Sequence, residues 1–353
     1  MVLFNADMMN VARRARGISQ VQLATALELS QAQISKIETG RMVPDDDFVA
    51  RLAVLLRFKP SFFLRTASLR PSPANFHRKR KKLTATEWER ILAQAEILRL
   101  SIGSLLKSVD MQASKKAAPE IDPDQYAGKI APIAAAVRQT WMLPRGPIAD
   151  VAKAMEDAGI LIVPFDFGTE LIDGFCQPAI DAMPPLVFLN SRIKAKDRIR
   201  FSLAHELGHI VMHRIPSPTM EDEANVFAAA FLMPEEDITH QFHGLSLEKV
   251  MMLKMHWKTS MQAIIRRARD LNRMSDRGYK YYQIQISKRG WRSAEPIEIS
   301  NTIENPRLLN RLFSTHTDQL GYSVGELADM FGLHIEDMEE VFPIERPRLR
   351  LVT

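Results

Sequence analysis

The sequence holds one cysteine, Cys176, among 353 residues. One thiol cannot make an internal disulfide, so no disulfide framework is expected and nothing calls for an oxidising compartment. Long apolar runs are missing too, and none approaches the roughly 20 residues a membrane helix needs. The N-terminus, MVLFNADMMNVARRARG, lacks the apolar stretch of a signal peptide. No membrane partner is expected, and the cytoplasm is the expected location. Charge of one sign is scarce as well. Lysine and arginine number 47 against 42 acids, a net charge of +5, which favours a polyanionic partner only weakly. Internal repeats and long low-complexity tracts are absent.

What is present reads as an ordinary globular chain, 46% hydrophobic and 25% charged. At about 150 residues per domain, two or three domains are expected. The fold class is mainly α with a small β-sheet (α+β). Residues 1–66 read as a five-helix domain punctuated by Gly17, Gly40 and Pro44. Residues 67–125 read as a basic linker, with the charge run His77 to Lys82, followed by a helix. In that helix Trp88, Ile91, Leu92, Ala95 and Leu98 share a face by steps of three and four. A second domain is expected over 126–240, and a mainly helical region over 241–353.

Within the second domain three strands are expected, Ile160 to Phe165, Gly174 to Pro178 and Leu186 to Asn190. A helix is expected from about Asp197 to His213, and another from Asp222. One further β segment is expected near Tyr281 to Ile286, and 289–353 carry no pattern that assigns a role. Cys176 reads as a small buried residue.

The segment from Phe201 to His213, FSLAHELGHIVMH, contains HExxH. Residues four apart on a helix lie on nearly the same face, so His205 and His209 can both aim a ring nitrogen at one zinc ion. Glu206 falls beside the metal, where it can take a proton from the attacking water and return it to the leaving amine. Leu203, Leu207, Ile210 and Val211 give the helix an apolar back, and Gly208 allows a close approach. The strand Pro185 to Asn190 is expected as a sheet edge for an extended peptide. A catalytic zinc needs a third protein ligand. In Glu221-Asp-Glu-Ala-Asn-Val-Phe-Ala-Ala-Ala-Phe-Leu-Met-Pro234, a stripe of Ala224, Phe227, Ala228 and Phe231 faces the core. Glu223 abuts that stripe and is the favoured third ligand, with Glu221 and Asp222 competing. His213, four residues beyond His209, can be a ligand, a transition-state donor or a helix-end histidine favoured by the dipole, the last being preferred. For the oxyanion, His240, His243 and Arg200 are candidates.

The run from Arg200 to His209, followed by EANVFAAAFLMP, resembles the ImmA/IrrE family of gluzincin-type zinc metallopeptidases. Gly146-Pro-Ile, Asp173-Gly and Leu189-Asn are similar to that family too, and the resemblance covers roughly 126–238. It implies His205 and His209 as ligands, Glu206 as general base and a glutamate of the second motif as third ligand. It also implies cleavage of repressors in stress or mobile-element circuits.

Toward the N-terminus, Val11, Ala15, Leu23, Ala24, Leu27, Ile34, Ile37, Leu52 and Leu55 supply a helical core. Ser19 stands three residues before Gln22, a capping-box spacing, and Ser30 can cap the next helix. The short connection at Glu28-Leu29 fits a helix-turn-helix. Gln31, Gln33, Ser35 and Lys36 lie on the polar face of the second helix, with Gln20 at the start of the first. Glutamine can read adenine, and lysine neutralises phosphate. This segment resembles the helix-turn-helix of the XRE/Cro/C1 repressors over about 7–63. The resemblance implies Gln31, Ala32 and Gln33 as base-contacting positions and a homodimer on double-stranded DNA. Residues 247–268 carry a helical pattern that leaves room for a second DNA-binding unit. The reading that results is a DNA-binding transcription regulator with a zinc endopeptidase domain. The alternatives are a non-catalytic regulator tuned by zinc or peptide, and an antitoxin-like partner binder.

Overall fold

In the computed structural model the described residues are 4–66, 83–109, 117–339 and 342. They form two compact units, Met1–Met111 with Leu309–Thr353, and Gln112–Leu308. The basic run His77 to Lys82 lies outside the described residues.

The first unit opens with α1 (Ala6–Ala15), α2 (Gln20–Ala26), α3 (Gln31–Glu38) and α4 (Asp46–Leu56). The expected fifth helix is a 3-10 turn, Pro60–Leu64, with proline at its first position. Asn5, Ser19, Ser30 and Asp45 each accept a first-turn amide, satisfying donors that have no partner inside the helix. Ser19–Gln22 and Ser30–Gln33 close as full capping boxes. Between α2 and α3, Glu28 adopts φ +58 and turns the chain in two residues. The core is the expected one apart from Leu55, which is half-buried. Leu56, one position on, takes its place at 0% exposure, because it continues the buried face of Phe48, Val49, Leu52 and Ala53 by steps of three and four. Next, α5 (Ala85–Leu106) packs on α1.

The second unit runs through α6 (Ile130–Thr140), α7 (Val151–Asp157), β1 (Leu161–Phe165), β2 (Gly174–Gln177) and β3 (Leu186–Asn190). It continues with α8 (Lys196–Met212), α9 (Met220–Leu232), α10 (Glu235–Ile238), α11 (Leu247–Trp257), α12 (Met261–Asp270) and α13 (Asp276–Lys288). All three expected strands form, in the order β1-β3-β2. β3 is parallel to β1 and antiparallel to β2, so it is the central strand and not the edge foreseen for it. Its five residues are all buried, the mark of a strand covered on both faces. The open edges belong to β1 and β2. The β segment expected near Tyr281 to Ile286 is instead part of α13. Ser275 caps that helix, and Tyr282 and Ile286, four apart, are its buried pair. Their spacing satisfies both periods, and packing selects the helical one.

The chain then returns to the first unit as α14 (Leu308–Ser314), α15 (Val324–Phe331) and α16 (Ile335–Glu339). Arg65 joins this return to the rest of the unit, donating to Phe331 O and Leu100 O. Arg16 pairs with Asp337 at 2.9 Å. Where α15 ends, Gly332 at φ +71 lies so close to the 3-10 turn that an added Cβ would sit 2.7 Å from Phe62 Cα. Residues 241–353, expected as one region, therefore divide between the two units. Long-range contacts decide that division, and local periodicity does not record them.

Candidate functional site

α8 carries the HExxH segment. Leu203 and Leu207 are fully buried and Val211 nearly so, while Ile210 is half-buried. Gly208 faces Phe227 of α9, where a Cβ would stand 3.1 Å from ring carbon Cδ1. The close approach foreseen at Gly208 is thus made by the neighbouring helix. Phe227 stacks in turn on Phe231, and Phe231 meets Trp141 edge-on.

That packing sets the two histidines opposite the first turn of α9. His205 Nε2 and His209 Nε2 are 3.1 Å apart. The Glu221 carboxylate reaches both, at 3.7 Å and 3.4 Å. Donor atoms of the three residues fall within 4.8 Å of one another. All three are buried, and Glu206 has no exposed surface. Glu221, the competing choice for third ligand, is the acid beside the two rings, while Glu223, the favoured one, lies against His213. Helix geometry gives the reason. Glu221 and Glu223 flank the buried stripe on opposite sides, Glu221 three before Ala224 and Glu223 four before Phe227, and the Glu221 side meets the two rings. Glu223 is turned about 200° away from Glu221 at 100° per residue. Asp222 is exposed.

Each ring is braced at its other nitrogen. His205 Nδ1 lies 3.0 Å from Asn225 Oδ1. That oxygen only accepts, so Nδ1 carries the hydrogen and Nε2 presents its lone pair. Asn225 is four residues beyond Glu221, on the same face of α9 and within the EAN triplet, a periodicity that would have located it. His209 Nδ1 lies 2.9 Å from His213 Nδ1, and His213 Nε2 lies 2.9 Å from Glu223 Oε2. Burial holds the His213 imidazole below its ordinary pKa, against the opposing pull of Glu223. His213 is thus more than a helix-end residue.

No other residue proposed for the oxyanion joins the three-residue group. Arg200 is fully buried, and its guanidinium pairs with Glu304 and donates to Ile148 O. Glu304 also accepts from the amides of Val151 and Ala152 at the start of α7. Arg200 therefore anchors helices, pairing with Glu304 and Ile148 O rather than with the three-residue group. His240 and His243 are exposed on and after the 3-10 turn Thr239–Phe242. Cys176 is buried on β2, as expected. A cavity of about 980 Å³ in this unit reaches the site only through Asn225 and Asp222, since none of His205, Glu206, His209 or Glu221 lines it. Asp173, Arg198 and Ser202 line it from the start of β2 and α8, and Asn225 lines it from α9.

The donor set fits zinc: two neutral imidazole nitrogens and one carboxylate, leaving a fourth position open in a tetrahedral site. All three donors are already turned toward one point, which a chance surface cluster does not require.

In the first unit, Gln31, Ala32 and Lys36 are exposed on α3, and Ser35 is half-buried. Gln31 donates to Gln20 Oε1, and Gln20 donates to Glu38, each at 2.7 Å. Glu38 is buried and held by Arg13 at 2.6 Å. Gln33 differs from the others: its side-chain oxygen accepts from Ser30 N at 2.9 Å, so it serves the cap of its own helix.

The turn from α11 to α12 repeats this geometry. Lys258 adopts φ +55 two residues before the capping Ser260, as Glu28 stands two before Ser30. Along α12 only Arg266 and Asp270 are exposed, and they pair with each other.

Residues 155–269 match the peptidase family model described as the IrrE N-terminal-like domain. Residues 10–61 match the model of a helix-turn-helix domain. No curated protein matches the chain. Among the described residues, no helix is long and apolar enough to cross a membrane. The chain joins a helix-turn-helix domain to a metallopeptidase-like domain of the IrrE N-terminal type.

Proposed function

We propose that this protein is a DNA-binding transcription regulator whose second unit is a zinc-dependent endopeptidase acting on a repressor or another regulatory protein. The observation that carries the reading is the convergence of His205, His209 and Glu221 on one point, with Glu206 adjacent on α8. In this reading His205, His209 and Glu221 hold the metal. Zinc bound there supplies a Lewis acid and a water that ionises near neutral pH. Glu206 takes a proton from the attacking water and hands it to the leaving amine. Asn225 fixes the His205 tautomer. A peptide has room in the neighbouring cavity and can extend along the open edge of β2, which packs on α8.

The first unit places α3 in the major groove, with Gln31 braced by Gln20 toward base edges and Ser35 and Lys36 toward the backbone. Ala32 offers its methyl to a thymine. The regulator binds as a homodimer, so its DNA footprint has two half-sites about one helical turn apart.

Glu206→Gln tests the enzymatic claim. The variant keeps zinc and DNA binding but loses cleavage of the partner repressor by at least about 10²-fold, the usual worth of a general base. Equal loss of the repressor with wild type and variant refutes it.

A further inference from the structure

Beyond the three residues around the metal position, a second line of polar groups runs outward from His209. Resting on the metal site proposed above, we infer that His213 and Glu223 are positioning residues for the metal, acting through His209.

The distances leave one consistent arrangement of hydrogens. His209 must present the Nε2 lone pair to a metal, so its Nδ1 carries the hydrogen and donates to His213 Nδ1 at 2.9 Å. His213 then holds its own hydrogen on Nε2, which donates to Glu223 Oε2 at 2.9 Å. Thr219 Oγ1 donates to Glu223 Oε1 at 2.7 Å and fixes the carboxylate. The His213 side chain is 3% exposed, so water does not compete freely for these contacts. Each link in the sequence from Thr219 to His209 is a donor facing an acceptor. The carboxylate sets the His213 tautomer, and His213 sets that of His209. Such outer partners orient a ligating imidazole and raise its basicity.

The spacing explains the selection of residues. His213 is four beyond His209, one further turn along the ligand face of α8, and serves as its C-cap residue. Glu223, facing away from Glu221, meets His213 where α8 ends. One short acidic turn thus supplies a metal ligand from one side and an outer anchor from the other.

Zinc dissociation constants of the full chain, measured by chelator competition, test the inference. The melting temperature of each metal-free variant reports folding separately. His213→Ala weakens zinc about 10- to 100-fold. His213→Asn keeps an oxygen where Nδ1 stood and loses less. His213→Gln reaches Glu223 but offers His209 no acceptor, and loses nearly as much as the alanine variant. Glu223→Ala weakens zinc in the wild-type background and has no further effect in the His213→Ala background, since it acts through that ring.

Zinc affinity of His213→Ala within twofold of wild type overturns the inference. So does a Glu223→Gln variant that loses stoichiometric zinc as His209→Ala does, because Glu223 would then be a ligand. If the alanine variant does not fold, the order of the asparagine and glutamine variants decides, and its reversal counts against the relay. A wild-type chain without zinc refutes the metal site itself, whereas zinc held equally by wild type and His213 variants refutes only the relay.

Discussion

At the scale of single residues, the centre depends on which way one turn of α9 faces. Three consecutive acids begin that helix, and a carboxylate near a helix N-terminus is favourable wherever it points. Charge therefore could not choose among Glu221, Asp222 and Glu223. The buried stripe did not choose either, since Glu221 stands three before Ala224 and Glu223 four before Phe227; the choice lies in which flank of that stripe faces α8. That His205 and His209 share a face was legible because they stand four apart on a helix, with Glu206 one position on from His205. Glu221 was legible only as an alternative, because its rotation depends on how deeply Phe227 and Phe231 pack. Gly208 is the residue where that packing is most sensitive. An alanine there sets a methyl 3.1 Å from the Phe227 ring, and overpacking of this kind costs about 1–3 kcal/mol. Gly208→Ala should lower stability by that amount in denaturant unfolding and weaken zinc as α9 withdraws. Unchanged stability and zinc affinity would show that the two helices have slack.

At the scale of elements, α8 is held at both ends. Near its start, Arg200 and Glu304 form a pair with no exposed side-chain surface. Burial presses the Arg200 guanidinium below its ordinary pKa and the Glu304 carboxyl above its own, each opposed by the partner. Glu304 spans three elements, pairing with α8, capping α7 and arriving from the irregular segment before α14. Glu304→Ala leaves Arg200 buried without its counter-ion, and breaking such a pair costs about 3–5 kcal/mol. Urea unfolding should register that loss, and a loss under 1 kcal/mol would mean that water reaches the pair. None of this was visible in the sequence, since residues 289–353 carry no periodic signal and Glu304 acts on partners more than 100 positions away. The strands and α8 were legible because they are short, strongly patterned and bounded by turns. Tyr281 to Ile286 misled for the same reason, since aromatic and β-branched residues spaced by two also fit a helix that buries only Tyr282 and Ile286.

At the scale of the molecule, the helix-turn-helix does not stand alone in its unit. The chain leaves it, builds the peptidase-like unit and comes back as α14 to α16. Gly332 is one point where that return meets the 3-10 turn, accepting from Lys59 N at 2.9 Å. Gly332→Ala meets a left-handed backbone penalty of about 1–2 kcal/mol and a 2.7 Å contact with Phe62 Cα. The first unit should lose at least about 2 kcal/mol in unfolding, and operator affinity in a gel shift should fall with it. Wild-type stability in that variant would show that the return is peripheral to DNA binding.

The central claim is that two imidazoles and the Glu221 carboxylate hold one zinc ion in the second unit. Metal analysis of the purified full chain beside its Glu221→Gln variant tests it most directly. The account predicts one zinc per wild-type chain and a loss to well below half occupancy in the variant, with the variant still folded. A wild-type chain free of zinc, or a Glu221→Gln variant that holds zinc as fully as wild type, would contradict it.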